Sequence, residues 1–302
     1  MGSRWWGRTV LRIGAAGCVL LLVSSPPASA AGSITAPDGA VYSVWEVRAR
    51  GPVDDPDARP SAIAYSVSDG AGTRVGVVAD TTDAAYDRSP SLAIDPTSGK
   101  PVVVWSRSDG VYLKIAYARF AQAGWTDLHF LTFGPGNDLL PRVATSATGS
   151  YLFWIAQGSR YLYAPIELST GSLLAAPSVL GIDLTRAPGR VAIEGGHDGP
   201  GPPPKGGNKG GSGPIWVRSD LTIEGGSDGS GPPMHHGALW GVSSDADCRS
   251  LVLTLPDRAG MLRLLDFTNG AIREIGRVQI PAVVPERFGD DTAAAHLASI
   301  CR

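Results

Sequence analysis

The chain repeats itself about every fifty residues, and that period limits what it can fold into more than any other feature. Asp87-Arg88-Ser89-Pro90 matches Asp138-Leu139-Leu140-Pro141 at an offset of 51, and Ala93 and Ala144 keep the same offset. Ile63-Ala64-Tyr65 and Ile115-Ala116-Tyr117 recur 52 apart. Three segments share one layout: a polar turn, a Gly, a run of mostly apolar residues and then Trp. They run from Ala36 through Gly39 to Trp45, from Ala93 through Gly99 to Trp105, and from Ala144 through Gly149 to Trp154. A unit of this size cannot bury its own faces, so neighbouring units must cover them.

Within each unit the texture is β. Val102 to Trp105 and Tyr151 to Trp154 are nearly continuous apolar runs, as strands buried on both faces require. Tyr112 to Phe120 and Thr126 to Phe133 are aromatic-rich and bounded by Gly or polar residues. Leu251 to Leu255, Met261 to Phe267 and Ala271 to Ile280 read as a three-strand meander, and Asn269-Gly270 is a strong hairpin signal because both residues tolerate positive φ. Asp290 to Cys301 reads as a short closing helix. Gly and Pro number 39 and 24 of 302 residues, which argues against a helical bundle. The expectation is an all-β, β-propeller-like array of four or five blades.

On these segments the chain resembles the sialidase-like β-propellers, whose Asp-box has Ser, then Asp, Gly and an aromatic at fixed spacing. Ala93 to Trp105 follows that order with wider steps, four from Asp95 to Gly99 and six from Gly99 to Trp105. The resemblance covers roughly residues 36–185. It implies architecture and carries over no catalytic residue.

Residues 1–30 read as a secretory signal peptide. Arg4, Arg8 and Arg12 precede an apolar run from Ile13 to Val23, and Ala28-Ser29-Ala30 is a small-residue cleavage site. The run is too short to span a bilayer. Cys18 lies in the middle of it, not after it where a lipidated cysteine would stand. The mature chain is expected outside the cytoplasm, secreted or periplasmic, with no membrane insertion after cleavage. Two cysteines then remain, Cys248 and Cys301, and an even count in an oxidising compartment implies a disulfide. A net charge of −2 leaves no electrostatic footprint for nucleic acid.

Residues 31–187 form the repeats, and 239–302 a meander closing the same domain. Between them, 188–238 is a Gly/Pro-rich flexible insertion: Gly195 to Pro214 holds nine Gly and five Pro. The string starting at Ile193 recurs from Ile223, thirty residues on. A strand is expected from Ile215 to Ile223. Gly225 to Gly229 matches the nucleophile pattern around Ser227, but Pro232 and Pro233 preclude the helix that such an elbow needs. His197, His235 and His236, with Asp198 and Asp228, lie on segments too loose to hold three or four fixed metal ligands, so no metal and no cofactor are expected.

Glycosidase chemistry needs two carboxylates across a sugar, or a Tyr nucleophile in sialidases. Asp87, Asp138, Tyr65 and Tyr117 are the candidates. Asp87 and Asp138 occupy equivalent repeat positions, which points to a structural role, a turn cap before Pro. Trp45, Trp105 and Trp154 repeat likewise and read as core. The expected function is a non-catalytic binding or interaction module for a protein or carbohydrate ligand. The alternative is a sialidase-like glycoside hydrolase. Mass spectrometry of the secreted protein should find Ala31 as its first residue; Met1 retained in a membrane-inserted product would end the signal-peptide reading.

Overall fold

A computed structural model describes residues 32–48, 61–78, 85–121, 124–156, 160–183, 222–223, 234–235, 240–256, 261–281 and 287–301. Four antiparallel sheets follow one another along these residues. The first joins β1 (Gly32–Thr35), β2 (Val41–Arg48), β3 (Ser61–Asp69) and β4 (Gly72–Val77), each paired to the next. The second does the same with β5 (Asp87–Ile94), β6 (Pro101–Ser108), β7 (Leu113–Ala121) and β8 (Gly124–Phe130). In the third, β9 (Asp138–Ser146), β10 (Gly149–Ala156) and β11 (Arg160–Glu167) lie in sequence. There β12 (Ser172–Leu173) and β13 (Ser178–Asp183) both pair with β11. A two-strand ladder, β14 (Thr222–Ile223) and β15 (Met234–His235), stands apart from these. The fourth large sheet is β16 (Gly241–Ser243), β17 (Leu251–Pro256), β18 (Met261–Thr268) and β19 (Ala271–Gln279), followed by helix α1 (Phe288–Ile300).

The turn residues explain the hairpins. Asn269 and Gly270 take φ of 50° and 83°, so Thr268 pairs directly with Ala271 across a two-residue loop. Between β5 and β6 the Asp95 carboxylate accepts the Thr97 and Ser98 amides at 3.0 and 3.2 Å, and Gly99 supplies a φ of 67°.

The sheets stack because their inner strands are apolar on both faces. All eight residues of β6 are buried. Val103 and Trp105 meet Val44 and Ile63 of the first sheet, while Val102 and Val104 meet Leu152 and Trp154 of the third. Between the third and fourth sheets Tyr151, Phe153 and Tyr163 set their rings edge-on to Phe267, with centroids 4.9, 5.3 and 5.0 Å away. Each such large side chain is worth about 1.5–3 kcal/mol on burial.

The far face of the fourth sheet is covered by α1. Ala293 and Leu297 pack on Val252 and Leu264 beside the bonded pair Cys248–Cys301, whose Cα atoms lie 5.6 Å apart. A cross-link closing 53 residues of chain is worth about 4 kcal/mol in the chain-entropy model. The helix adds β16 to the expected meander, making four strands where three were read from the sequence. Val242 at the centre of β16 donates its amide to the Asp290 Oδ1 at 3.3 Å.

One strand ends earlier than its sequence suggests. Thr126 to Phe133 reads as extended, yet β8 stops at Phe130. Leu131 and Thr132 turn into the core, and Gly134 and Gly136 at φ of 91° and 93° reverse the chain. Phe133 is left 79% exposed at the crest. Residues 1–30 and nearly all of 188–238 lie outside the described residues, so the signal peptide and the insertion are not part of this picture. Among the described residues no helix is long and apolar enough to cross a membrane.

Among the described glycines the tightest site is Gly241, where a Cβ would stand 2.3 Å from the Gly289 carbonyl carbon. Gly241→Ala must therefore push α1 off β16. Equilibrium denaturation should show a loss of about 3 kcal/mol, the upper range for overpacking, whereas Gly124→Ala, which meets open space, should cost little.

Candidate functional site

The first strand of each large sheet borders a single cavity. β1, β5, β9 and β16, with the first turn of α1, enclose about 240 Å³. Its wall carries Ser33, Ser91, Arg142, Ser243, Arg287 and Asp290 among others.

The Asp-x-x-Pro segments shape two of these strands. Ser89 and Leu140, 51 residues apart, both adopt left-handed conformations at φ of 53° and 51°. The β5–β6 ladder shifts register between Arg88 and Ser91, and the β9–β10 ladder shifts opposite the same motif, between Phe153 and Ile155. Such bulges re-aim the strand they interrupt. The leading Asp holds each bulge in place from behind. Asp87 accepts the Trp105 indole N–H at 2.6 Å and the Arg107 guanidinium at 2.7 and 2.8 Å. Asp138 accepts the Trp154 indole N–H at 3.1 Å and faces the Lys114 ammonium at 3.4 Å.

Neighbouring first strands are then tied to each other. Ser91 Oγ accepts the Val143 amide at 3.1 Å, and the Leu140 carbonyl accepts the Trp240 indole N–H at 3.0 Å. Ser61 Oγ both donates to the Asp87 carbonyl at 2.8 Å and accepts its amide at 2.9 Å.

The two strands differ at one telling position. Ser91 in β5 corresponds to Arg142 in β9 at the offset of 51, and both line the cavity. Arg142 is half-buried. Among the described residues its guanidinium donates one hydrogen bond, to the neighbouring Pro141 carbonyl at 3.2 Å, and makes no ion pair. Repeat symmetry is therefore broken by a guanidinium with most of its donors unused.

The residues singled out in the sequence lie elsewhere. Trp45, Trp105 and Trp154 are core, 4%, 0% and 1% exposed. Asp87 and Asp138 are structural, but by holding indoles and cations, which differs from the turn cap expected of them. Tyr65 packs edge-on to Phe120 and Trp125. Tyr117 donates its hydroxyl to the Leu168 carbonyl, and desolvation pushes its pKa up to about 12. Burial likewise raises Tyr161. Ser227, His197, His236, Asp198 and Asp228 lie outside the described residues, and of the His235 side chain nothing is described. No group of three or more potential metal ligands forms among the described residues. Arg142 was missed because it sits in no motif; the signal that finds it is the repeat alignment itself, which sets it against Ser91.

No protein-family model matches the chain, and no curated protein matches it. Solved structures that resemble it include three of low identity. The Hadza microbial sialidase Hz136 is 12% identical with a TM-score of 0.46, over 80% of this chain and 45% of that one. A thermostable family-43 glycoside hydrolase is 13% identical at 0.44, over 84% and 76%. The periplasmic gluconolactonase PpgL of Pseudomonas aeruginosa is 14% identical at 0.42, over 92% and 65%. The chain thus spans less than half of the sialidase and just under two thirds of the lactonase. No residue of the cavity takes a role from these likenesses.

Tyr117 gives the molecule an alkaline limit. Its phenol ionises near 10 when unfolded and about 12 when folded, so the folded state keeps a proton that the unfolded state has lost. Stability from this group is full below pH 10 and falls as pH rises from there toward 12. Chemical denaturation across that range should show a steeper decline in the parent than in Tyr117→Phe, with Tyr117→Phe about 1 kcal/mol less stable at neutral pH for want of the hydroxyl bond.

Proposed function

We propose that the chain is a secreted, non-catalytic binding module, that its large sheets are blades of a β-propeller, and that its ligand seats in the central cavity. Residues 31–187 and 239–302 form one domain on this reading, with 188–238 a Gly/Pro-rich loop inserted between them. The ligand is a carbohydrate or a polar group of a protein. Consecutive four-strand meanders whose first strands border one cavity support the propeller. Extracytoplasmic location rests on the pattern of residues 1–30.

The observation that carries the binding reading is Arg142, a guanidinium with no ion pair among the described residues, at a cavity position where the repeat has Ser91. The carboxylates that catalysis across a sugar would call on, Asp87 and Asp138, are occupied by indole and cation partners instead. A half-buried guanidinium among several hydroxyls can orient a polar ligand.

The test is a glycan panel run on the secreted protein and on Arg142→Ala, beside a screen of artificial glycosides. Binding that Arg142→Ala weakens about tenfold or more, with no change in melting temperature, is the expected result. Binding indifferent to Arg142→Ala would remove the cavity from the account. Clear glycoside turnover by the parent would replace the binding module with the glycoside hydrolase.

A further inference from the structure

The cavity holds charges of both signs that do not neutralise one another. Arg142 enters from β9 and Asp290 from the first turn of α1. Both are half-buried, and neither makes an ion pair among the described residues. Each makes one contact to backbone: Arg142 donates to the Pro141 carbonyl at 3.2 Å, and Asp290 accepts the Val242 amide at 3.3 Å through Oδ1. The guanidinium keeps four further N–H donors, and the carboxylate keeps Oδ2. Arg287 and Asp291, both exposed, repeat the pairing of signs at the rim.

The balance of charge narrows the ligand. A simple anion drawn to Arg142 would lie in the same small space as the Asp290 carboxylate and be repelled by it. A simple cation would meet the converse at Arg142. A molecule with both charges satisfies both walls and leaves the site neutral. Ser33 and Ser243 offer hydroxyls to the remainder of it, and Ser91, whose oxygen already accepts the Val143 amide, still has its proton to donate. A volume of about 240 Å³ is several times the roughly 30 Å³ that one water occupies in the liquid, so a small molecule fits.

We propose that the cavity takes a small zwitterion, its carboxylate on Arg142 and its ammonium on Asp290. This rests on the reading of the cavity as a binding site and puts a small free molecule in place of a glycan or a protein group as its ligand.

The experiment uses the whole secreted chain and three probes that separate the two charges by increasing lengths: glycine, β-alanine and γ-aminobutyrate. Each is titrated calorimetrically beside its N-acetyl and its carboxamide derivative, up to about 10 mM. One probe of the three should bind, and blocking either of its charges should weaken it about tenfold or more. Arg142→Gln should bring the parent zwitterion down to the level of its carboxamide, and Asp290→Asn to the level of its N-acetyl derivative. Asp290 also touches β16, so Arg142→Gln, which anchors no second strand, decides the matter if Asp290→Asn fails to fold. Binding of none of the probes, or blocked derivatives that bind as well as the parents, would overturn the proposal. Neutral glycans that bind in an Arg142-dependent way while every zwitterion fails would leave the binding module standing and end this inference alone.

Discussion

The structure depends on sheets that are apolar on both faces. A sheet with one wet face can stand with a single partner; β6, buried along its whole length, cannot. Each sheet must be covered on two sides, so the second is sandwiched between the first and third, and the fourth lies between the third and α1. Covering both faces with Trp creates a second requirement. A buried indole N–H needs an acceptor, and Asp87 and Asp138 provide one for Trp105 and Trp154. A buried carboxylate in turn needs a cation. Arg107 of its own sheet serves Asp87, and Lys114 of the preceding sheet serves Asp138. Lys114 also donates to the Gly136 carbonyl, so the same ion pair pins the crossing between the second and third sheets.

That chain of needs is why the cavity exists. The Asp side chains are directed back toward the Trp layer, and the two residues after each must make up the offset. Ser89 and Leu140 do so with left-handed backbone that non-glycine residues seldom adopt. The cost is met by packing elsewhere, and the outcome is a pair of bulged first strands whose middle residues, Ser91 and Arg142, face the space between the sheets. A motif that looks like a candidate catalytic pair in the sequence thus acts one step removed: its carboxylates build the wall, and the residue four positions later meets whatever enters.

Much of the fold was legible in the chain. The period of 51, the Gly of each hairpin and Asn269-Gly270 mark the strand pairs because turn geometry is set locally. The site was far less so. Strands buried on both faces show no alternation, so nothing in Leu139 to Ala144 says which side chain points inward, and the bulge at Leu140 shifts the count again. Arg107 and Lys114 looked like ordinary strand-end charges; their burial follows only from where Asp87 and Asp138 lie. Phe133 is the opposite case, an aromatic that reads as strand and ends at the surface because two glycines follow within three residues.

The same reasoning bears on how the cavity keeps its charges. A guanidinium fully removed from water without a partner would cost several kcal/mol, more than one surface feature of a marginally stable domain can bear. Arg142 escapes that cost because it is only half-buried and retains solvent on its outer donors. At the corresponding position in β5, Ser91 does tie two strands, accepting the Val143 amide of β9. A residue whose side chain makes no bond between strands among the described residues and that departs from the repeat is not accounted for by the packing. Asp290 is different, for it closes α1 against β16 and would be needed whatever the cavity holds. The binding proposal therefore rests first on Arg142, with Asp290 a structural carboxylate whose Oδ2 also borders the cavity.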